Sequence, residues 1–287
     1  MAAGDVANLT PREVRLLCRR GEFDRPTSGA AMGFTQVNLV ILPSDAALEF
    51  GEFCRLNPRP CPLLEVTDVG SFVPKRLAPD ADVRTDVPRY RVYRRGVCVD
   101  RTLNILDHWG RTPLSSPLGK GGGNFVAFLI GCSFTFESAL LNAGLPVRHI
   151  EEGRNVPMFR TNVACKSAGR FHGPLVVSMR PMTPEQAERA AAITARFPAV
   201  HGAPIQIGDP AKLGIADLNH PDYGDAVTIR AGEVPVFWAC GVTPMEAILR
   251  AELNLAITHE PGHMLVTDLR DESLRDAQLV TRTEGTV

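Results

Sequence analysis

One stretch decides the fold class: Phe125-Val126-Ala127-Phe128-Leu129-Ile130-Gly131-Cys132-Ser133-Phe134. In it an apolar run leads through a turn at Gly131 directly into a predicted helix. A short run without polar alternation predicts a strand that is buried on both faces. Residues 37–42, 175–179 and 234–240 repeat the pattern, with Asn38 as an isolated polar residue in the first of them. A turn and a predicted helix follow each run, so the chain contains four strand–turn–helix units.

Helix starts are marked by hydroxyl residues that precede proline. Thr10-Pro11 and Thr183-Pro184 are each followed by Glu or Gln at the third helical position, which predicts capping boxes. Thr243-Pro244 opens a further predicted helix, and Ser44 opens another. Alternating strands and helices predict an α/β fold with mixed, partly parallel sheets, and the alternative is an α+β fold.

Residues 111–124 are rich in Gly, Ser and Pro, and we interpret them as a flexible loop or an insertion. This segment divides the chain into a predicted N-terminal lobe, residues 1–110, and a C-terminal lobe, residues 125–280. The C-terminal lobe carries most of the candidate site residues. One continuous domain is the alternative to two lobes.

Composition excludes several classes of protein. The 31 Lys and Arg residues balance 32 Asp and Glu residues, so no basic excess indicates a nucleic-acid or membrane-surface partner. The longest uncharged apolar run, residues 125–136, is shorter than the roughly 20 residues of a spanning helix. Residues 1–8 lack the apolar region of a secretory signal, and the seven cysteines form no C-x-x-C pair. We therefore expect a cytoplasmic protein, and its oligomeric state is left open.

The sequence His259-Glu260-Pro261-Gly262-His263 matches the H-E-x-x-H pattern of zinc proteases. That chemistry needs both histidines on one helix, and Pro and Gly oppose a helix at its centre. We therefore expect no metal site here, and no spacing in the chain calls for a cofactor.

The residues that follow the predicted strands are the first candidates for a site, because ligands bind beyond the carboxyl ends of strands in open α/β sheets. Helix N-termini there favour an anion such as a carboxylate. The candidates are Cys132, Ser133, Arg180, Cys240 and Thr243. A thiol at a helix start is a candidate acid, base or nucleophile, whereas most free cysteines simply pack as small hydrophobic residues.

Polar clusters in loops supply the remaining candidates. Arg160 and Asn162 form one cluster, in which Arg160 either binds a substrate carboxylate or forms a structural ion pair. Asp209 is a candidate base, and its alternative role is to cap a turn. His201, before a Gly-Ala-Pro turn, and His259 are candidates to line a pocket.

Ten ordered motifs between residues 34 and 270 resemble the hydro-lyase family that also supplies a domain of mitochondrial D-glutamate cyclase. They are Val37–Pro43, Arg59–Leu64, Arg84–Pro88, Phe128–Phe134, Val156–Asn162, Val177–Pro181, His201–Pro204, Ile207–Pro210, Phe237–Pro244 and Pro261–Met264. Two departures stand out: Gln206 occupies a position where a second histidine is expected, and residues 114–123 form an insertion.

The resemblance implies a carbon–oxygen lyase that acts on a small amino acid or carboxylic acid, most concretely one that cyclises D-glutamate to 5-oxo-D-proline and releases water. For this reaction we expect Arg180, assisted by Arg160, to hold a substrate carboxylate. We expect His201 or Asp209 to act as the base and Cys132 as an acid or base. Helix-start N–H groups after Cys132 and Cys240 would stabilise the oxyanion.

Two other functions remain open on the sequence. The pair of strand-end thiols, Cys132 and Cys240, is similar in arrangement to cofactor-independent racemases and epimerases that place one thiol on each face of a substrate carbon. A metabolite-binding protein without catalysis is the second alternative.

Overall fold

The computed structural model describes residues 6–109 and 124–277, which form helices and two β-sheets. The helices are α1 (Pro11–Arg19), α2 (Ser44–Leu56), α3 (Leu106–Trp109), α4 (Phe134–Asn142), α5 (Arg148–Glu151), α6 (Pro184–Thr194) and α7 (Thr243–Ala251). The strands are β1 (Phe34–Pro43), β2 (Leu63–Val66), β3 (Tyr90–Arg94), β4 (Val97–Thr102), β5 (Phe125–Gly131), β6 (Met158–Ala164), β7 (Pro174–Met182), β8 (Gln206–Ile207), β9 (Val234–Ala239), β10 (Ala256–His259) and β11 (Leu265–Arg270). Three short 3-10 turns cover Pro198–Val200, Pro210–Leu213 and Asp271–Leu274.

The larger sheet is built around β1. Its strand order is β2-β5-β1-β10-β3-β4, and β11 also pairs with β1. β5 runs antiparallel along β1, from Val37 opposite Gly131 to Pro43 opposite Phe125. β10 and β11 lie one after the other on the opposite side of β1, so the connection between them leaves the sheet beside the middle of β1.

The smaller sheet has the order β6-β7-β9-β8 and packs against the larger one. One apolar cluster contains Phe128 of β5 and Val176 of β7, together with residues of α2 and α7. Residues Val37, Leu39 and Ile41 of β1 belong to a second cluster on the other face of the larger sheet. The central strands are therefore buried on both faces, which explains their continuous apolar sequences.

The structure confirms that the fold contains both helices and strands. The fold corresponds to the α+β alternative. The expectation of partly parallel sheets is wrong, because every strand pair of the two sheets is antiparallel. The physical reason is that a continuous apolar run reports burial on both faces and carries no information on strand direction. Here helices and the second sheet cover both faces of an antiparallel sheet.

The predicted helix starts are confirmed in position, but Ser44 and Thr243 are the first helical residues and do not cap their helices through their side chains. Thr10 and Thr183 each form a complete capping box, and α7 begins at Thr243. The predicted insertion, residues 114–123, lies outside the described residues. The larger sheet takes strands from both sides of that segment, and the division into two lobes stays a prediction. Within the described residues, no helix is both long and apolar enough to cross a membrane.

Candidate active site

Two thiols occupy equivalent junctions between a strand and a helix. Cys132 follows β5 and precedes α4, and Cys240 follows β9 and precedes α7. Both residues are 7% exposed, and both belong to the apolar cluster that also contains Phe134 and Met264. The backbone N–H of Phe134 faces the sulfur of Cys132, and the N–H of Val242 faces that of Cys240. The structure thus brings together the two thiols that the sequence singles out.

Burial decides the protonation of these thiols. It raises the pKa of Cys240 to about 11, although the Val242 N–H and the charge of Arg180 act in the opposite direction. Burial also raises the pKa of Cys132 well above its usual range. Both sulfurs therefore carry a proton at neutral pH, which suits them to donate protons rather than to act as thiolate nucleophiles.

Asn38 connects the two thiol-bearing segments. Its Nδ2 donates to the carbonyl oxygens of Gly131, at 2.8 Å, and Ile130, at 3.3 Å, just before Cys132. Gly241 packs so closely on the Asn38 amide that a Cβ at this glycine would collide with it. The one polar residue of the apolar run 37–42 therefore ties the two strand ends together, and its isolation within that run is the signal that could have identified it.

A buried ion pair lies close to the thiols. Arg180 of β7 is fully buried and pairs with Glu137 of α4, with Nε 3.1 Å from Oε1. Its Nη2 also donates to Ser133 Oγ at 3.0 Å, and its Nη1 donates to Ser178 Oγ at 3.1 Å. Ser133 and Arg180, both predicted from the sequence, are therefore in contact. The guanidinium is held by a carboxylate of the protein, so direct binding of a substrate by Arg180 stays a prediction.

Glu137 is the residue on which this cluster converges, and the sequence analysis does not select it. His149 Nε2 lies 3.1 Å from Glu137 Oε1, and Ser28 Oγ lies 3.1 Å from Oε2. Burial raises the pKa of Glu137, but the charge of Arg180, the charge that His149 carries when protonated, and the hydrogen bonds from both outweigh burial and lower it to about 2. The carboxylate is therefore ionised at any physiological pH. The i, i+4 spacing of Ser133 and Glu137 places both on one face of a helix and is a usable sequence signal.

A cavity of about 460 Å³ gives access to this cluster. Ser28 and His149, which touch Glu137, form part of its wall. Further lining residues are Arg25, Met32, Leu141 and Arg154. Its size falls within the range of pockets that bind small molecules, and its wall combines apolar side chains with two cationic ones.

His201 is placed beside the first thiol in a strained conformation. It ends the 3-10 turn Pro198–Val200 with a φ of 83°, a left-handed backbone that a non-glycine residue rarely adopts. Its Nδ1 lies 2.9 Å from the carbonyl oxygen of Arg59 and donates to it, because that oxygen can only accept. Its buried Nε2 has no partner among the described residues. Burial lowers the pKa of His201 to about 4, so Nε2 offers a free lone pair at neutral pH.

Two other predicted residues anchor backbone close to the cluster. The Thr243 hydroxyl accepts from the Val176 N–H at 2.9 Å and donates to the Val176 carbonyl, which ties the start of α7 to β7. His259 is buried at the end of β10, where its Nδ1 lies about 3.1 Å from the backbone of Leu39. Burial lowers the pKa of His259 to about 4. Direct contact of either residue with a substrate stays a prediction.

The structure places the remaining predicted residues in other surroundings. Arg160 is held by Glu246, Asp222 and Tyr223, which corresponds to the structural ion pair considered from the sequence. Asn162 packs against Gly214 and lines a separate cavity of about 280 Å³. Asp209 is exposed and accepts from the Ala211 N–H at 3.0 Å, so it caps the turn Pro210–Leu213.

The H-E-x-x-H sequence lies on no helix. Its first histidine ends β10, Glu260 pairs with Arg91, and Gly262 forms a turn with a φ of 84°. The imidazole of His263 turns back to the Pro261 carbonyl at 3.1 Å. This geometry confirms that the motif is not that of a zinc protease.

Comparison with known proteins identifies the family. The D-glutamate cyclase family matches residues 126–268. A “Putative hydro-lyase” of Bacillus licheniformis is 58% identical over 267 residues, which are 93% of this chain and 97% of that protein. This chain belongs to the D-glutamate cyclase family of hydro-lyases. The match with this family confirms the resemblance that the ordered motifs indicate. The chain is therefore an enzyme of the hydro-lyase family.

Further hydro-lyases of the family are similar over nearly their whole length. The relative from Rubrobacter xylanophilus is 58% identical, over 90% of this chain and 95% of its own. YcsI of Bacillus subtilis, also named a hydro-lyase, is 53% identical, over 93% of this chain and 99% of its own.

The part of the chain that matches the family contains both thiols and the whole Arg180–Glu137–His149 group. Ser28, which completes the hydrogen bonds of Glu137, lies before the matched region. The candidate active site of this hydro-lyase family member is thus assembled from the N-terminal part of the chain as well as from the matched part.

Proposed function

We propose that this enzyme cyclises D-glutamate to 5-oxo-D-proline with loss of water, using the cavity whose wall includes Ser28 and His149, the two residues that contact Glu137. The observation that carries the proposal is the buried, ionised Glu137 that contacts His149 at the wall of an accessible cavity. Membership of the D-glutamate cyclase family supports the reaction class and suggests D-glutamate as the substrate, and the cationic side chains on the cavity wall are compatible with a dicarboxylate.

The reaction sets clear chemical requirements. The substrate ammonium group must lose a proton so that its nitrogen can attack the carbon of the side-chain carboxylate. The new carbon–nitrogen bond forms as one carbon–oxygen bond breaks, and two protons taken from the nitrogen leave on the departing oxygen as water. The enzyme therefore needs a base, a proton donor and a group that balances negative charge at the reacting carboxylate.

The described residues can meet each requirement. His149, polarised by Glu137, would take the ammonium proton, and Arg180 would act as a positioning residue that holds Glu137 in place. The cationic side chains of Arg25 and Arg154 line the same cavity and favour a substrate with two carboxylates. The proton-bearing thiol of Cys132 and the free Nε2 of His201 do not line this cavity, but both lie within the electrostatic reach of Arg180, and we assign them to the protons of the departing water.

The test is to incubate the purified protein with D-glutamate and, separately, with L-glutamate, and to follow 5-oxoproline by chiral chromatography. We expect 5-oxo-D-proline from the D enantiomer and a much slower reaction of the L enantiomer. A folded protein that converts neither enantiomer would overturn the substrate assignment while leaving family membership intact.

The same samples, run in deuterated water, separate the alternatives. Exchange of the Cα hydrogen without loss of water would favour a racemase or epimerase over a cyclase. Thermal stabilisation by glutamate with no chemical change would favour a binding protein. Our proposal requires water loss with the Cα hydrogen retained.

A further inference from the structure

Helix α4 separates two cavities. Leu141 on one face lines the 460 Å³ cavity, and Glu137 on the same face binds His149. Thr135, Ser138 and Asn142 on the other face line a second cavity of about 650 Å³. This second cavity has no role in the proposed reaction, yet it shares the helix that carries Glu137.

The floor of the second cavity is polar and buried. Asp271, which is 5% exposed, accepts hydrogen bonds from Thr35 Oγ1 at 3.3 Å and from Ser138 Oγ at 3.2 Å. Thr135 is 1% exposed, and its hydroxyl has no hydrogen-bond partner in the part of the chain that the structure describes. A buried hydroxyl without a partner is costly, and a hydrogen bond to a ligand, reached by rotation of the Thr135 side chain towards the cavity, would remove that cost.

The rim of the same cavity carries three arginines, Arg196, Arg270 and Arg275. The guanidinium carbon of Arg270 lies over the Phe34 ring, 3.9 Å from its centroid, and this contact restricts the positions that the guanidinium group can adopt. Arg196 pairs with Asp276, whereas across residues 6–109 and 124–277 no carboxylate forms an ion pair with Arg270 or Arg275. Among the described residues, these two exposed guanidinium groups thus have no direct ion pair, and at longer range Arg270 faces the charge of Asp271 and Arg275 that of Asp276.

We propose that this cavity is a second ligand site that binds a small dicarboxylate, separate from the active site. Planar guanidinium groups match the two oxygens of a carboxylate, and more than one of them favours an anion with two such groups. The volume suits a small metabolite. Since Thr135 and Ser138 belong to the same helix as Glu137, occupancy of this site is coupled to the position of the catalytic cluster.

The acidic group on the floor makes the site sensitive to pH. Burial raises the pKa of Asp271 to about 7, Ser138 and Thr35 act against burial, and the charges of Glu137 and Arg270 act in opposite directions. Glu272, Arg196 and Arg275 complete the charged groups around it. At pH 6 Asp271 is mostly neutral and repels an anion less than at pH 8. One charge a few ångströms from the ligand changes the affinity by about threefold.

The experiment is isothermal titration calorimetry of the full chain with succinate at pH 6 and pH 8, and with inorganic phosphate in a parallel series. We expect saturable binding of succinate that is tighter at pH 6. Arg270→Gln should weaken binding by about tenfold, because it removes a charged hydrogen-bond donor. Asp271→Asn should abolish the difference between the two pH values.

Controls decide between sites and ligands. Arg94→Gln, which removes an exposed arginine of β3, should leave succinate binding unchanged. Tighter binding of phosphate than of succinate would overturn the dicarboxylate assignment. Equal binding by wild type and Arg270→Gln would overturn the site, and so would loss of binding in Arg154→Gln, which changes the wall of the 460 Å³ cavity and would place the ligand there.

Discussion

Glu137 and Arg180 form a pair in which each charge depends on the other, because both are almost completely buried. Removing one partner from such a pair leaves a buried charge without compensation. We predict that Glu137→Gln lowers the free energy of unfolding by about 3 kcal/mol, measured by urea denaturation monitored by circular dichroism.

The matched control for this variant is Glu52→Gln, since Glu52 is exposed and pairs with Arg55 three residues along the same helix. Its stability should equal that of the wild type within error. Replacing Arg180 as well, in the double variant Glu137→Gln/Arg180→Met, should recover part of the lost stability. Equal effects of Glu137→Gln and Glu52→Gln would contradict the account of the buried pair.

His259 provides a test of pH dependence. Burial lowers its pKa from an ordinary value of 6.5 to about 4, so the folded protein binds fewer protons here than the unfolded chain between these values. The contribution of neutral His259 to the free energy of unfolding is therefore fully present above pH 6.5, and it decreases as the pH falls towards 4. Between pH 4.5 and 6, His259→Gln should reduce the slope of unfolding free energy against pH by about 1 kcal/mol per unit.

The measurement is a series of denaturation curves for wild type and variant at several pH values. Asp271, whose raised pKa gives the opposite slope in part of this range, is present in both proteins and cancels in the comparison. Parallel curves for the two proteins would mean that His259 is protonated equally in the folded and unfolded states.

At the residue scale, the sequence could predict the thiols because each follows a recognisable strand and precedes a helix. It could not predict the ion pair, because Glu137 and Arg180 are 43 positions apart and nothing local in either segment specifies the contact. His149 has no neighbour in sequence that distinguishes it, and only the fold brings it to Glu137.

At the scale of elements, two glycines have opposite roles. Gly131 ends β5 where a Cβ would lie 2.6 Å from the Ala199 carbonyl oxygen and 2.7 Å from Val200 Cγ1, next to His201. Gly51 lies within α2, where a Cβ would make an ordinary contact at 3.9 Å with Phe128.

We predict that Gly131→Ala destabilises the protein by about 1–3 kcal/mol, because the His201 turn must move away from the strand. Gly51→Ala should stabilise it by about 0.5–1 kcal/mol through helix propensity. Melting temperatures of both variants provide the check. A stable Gly131→Ala protein would show that the turn before His201 is not packed on β5 as described.

Helix starts were predictable because their signals are local. Both halves of each capping box lie within four residues, in Thr10 with Glu13 and in Thr183 with Gln186. Strand existence was predictable for the same reason, but strand direction was not. Whether β1 runs with or against β5 depends on the path of residues 44–124, which apolar periodicity does not encode.

At the scale of the whole molecule, the two antiparallel sheets bring the carboxyl ends of β5 and β9 to the first residues of β7. The resulting site combines a buried ion pair, protonated thiols and a cavity that reaches Ser28 and His149. Its position at the meeting point of both sheets explains why residues distant in sequence are needed for one reaction.

The most direct test of this account is kcat/KM for D-glutamate in His149→Gln, compared with wild type and with His220→Gln, which changes an exposed histidine. We predict a loss of about 100-fold or more in His149→Gln, as expected when a general base is removed, and no change in His220→Gln. Wild-type turnover by a folded His149→Gln protein would contradict the assignment of the active site.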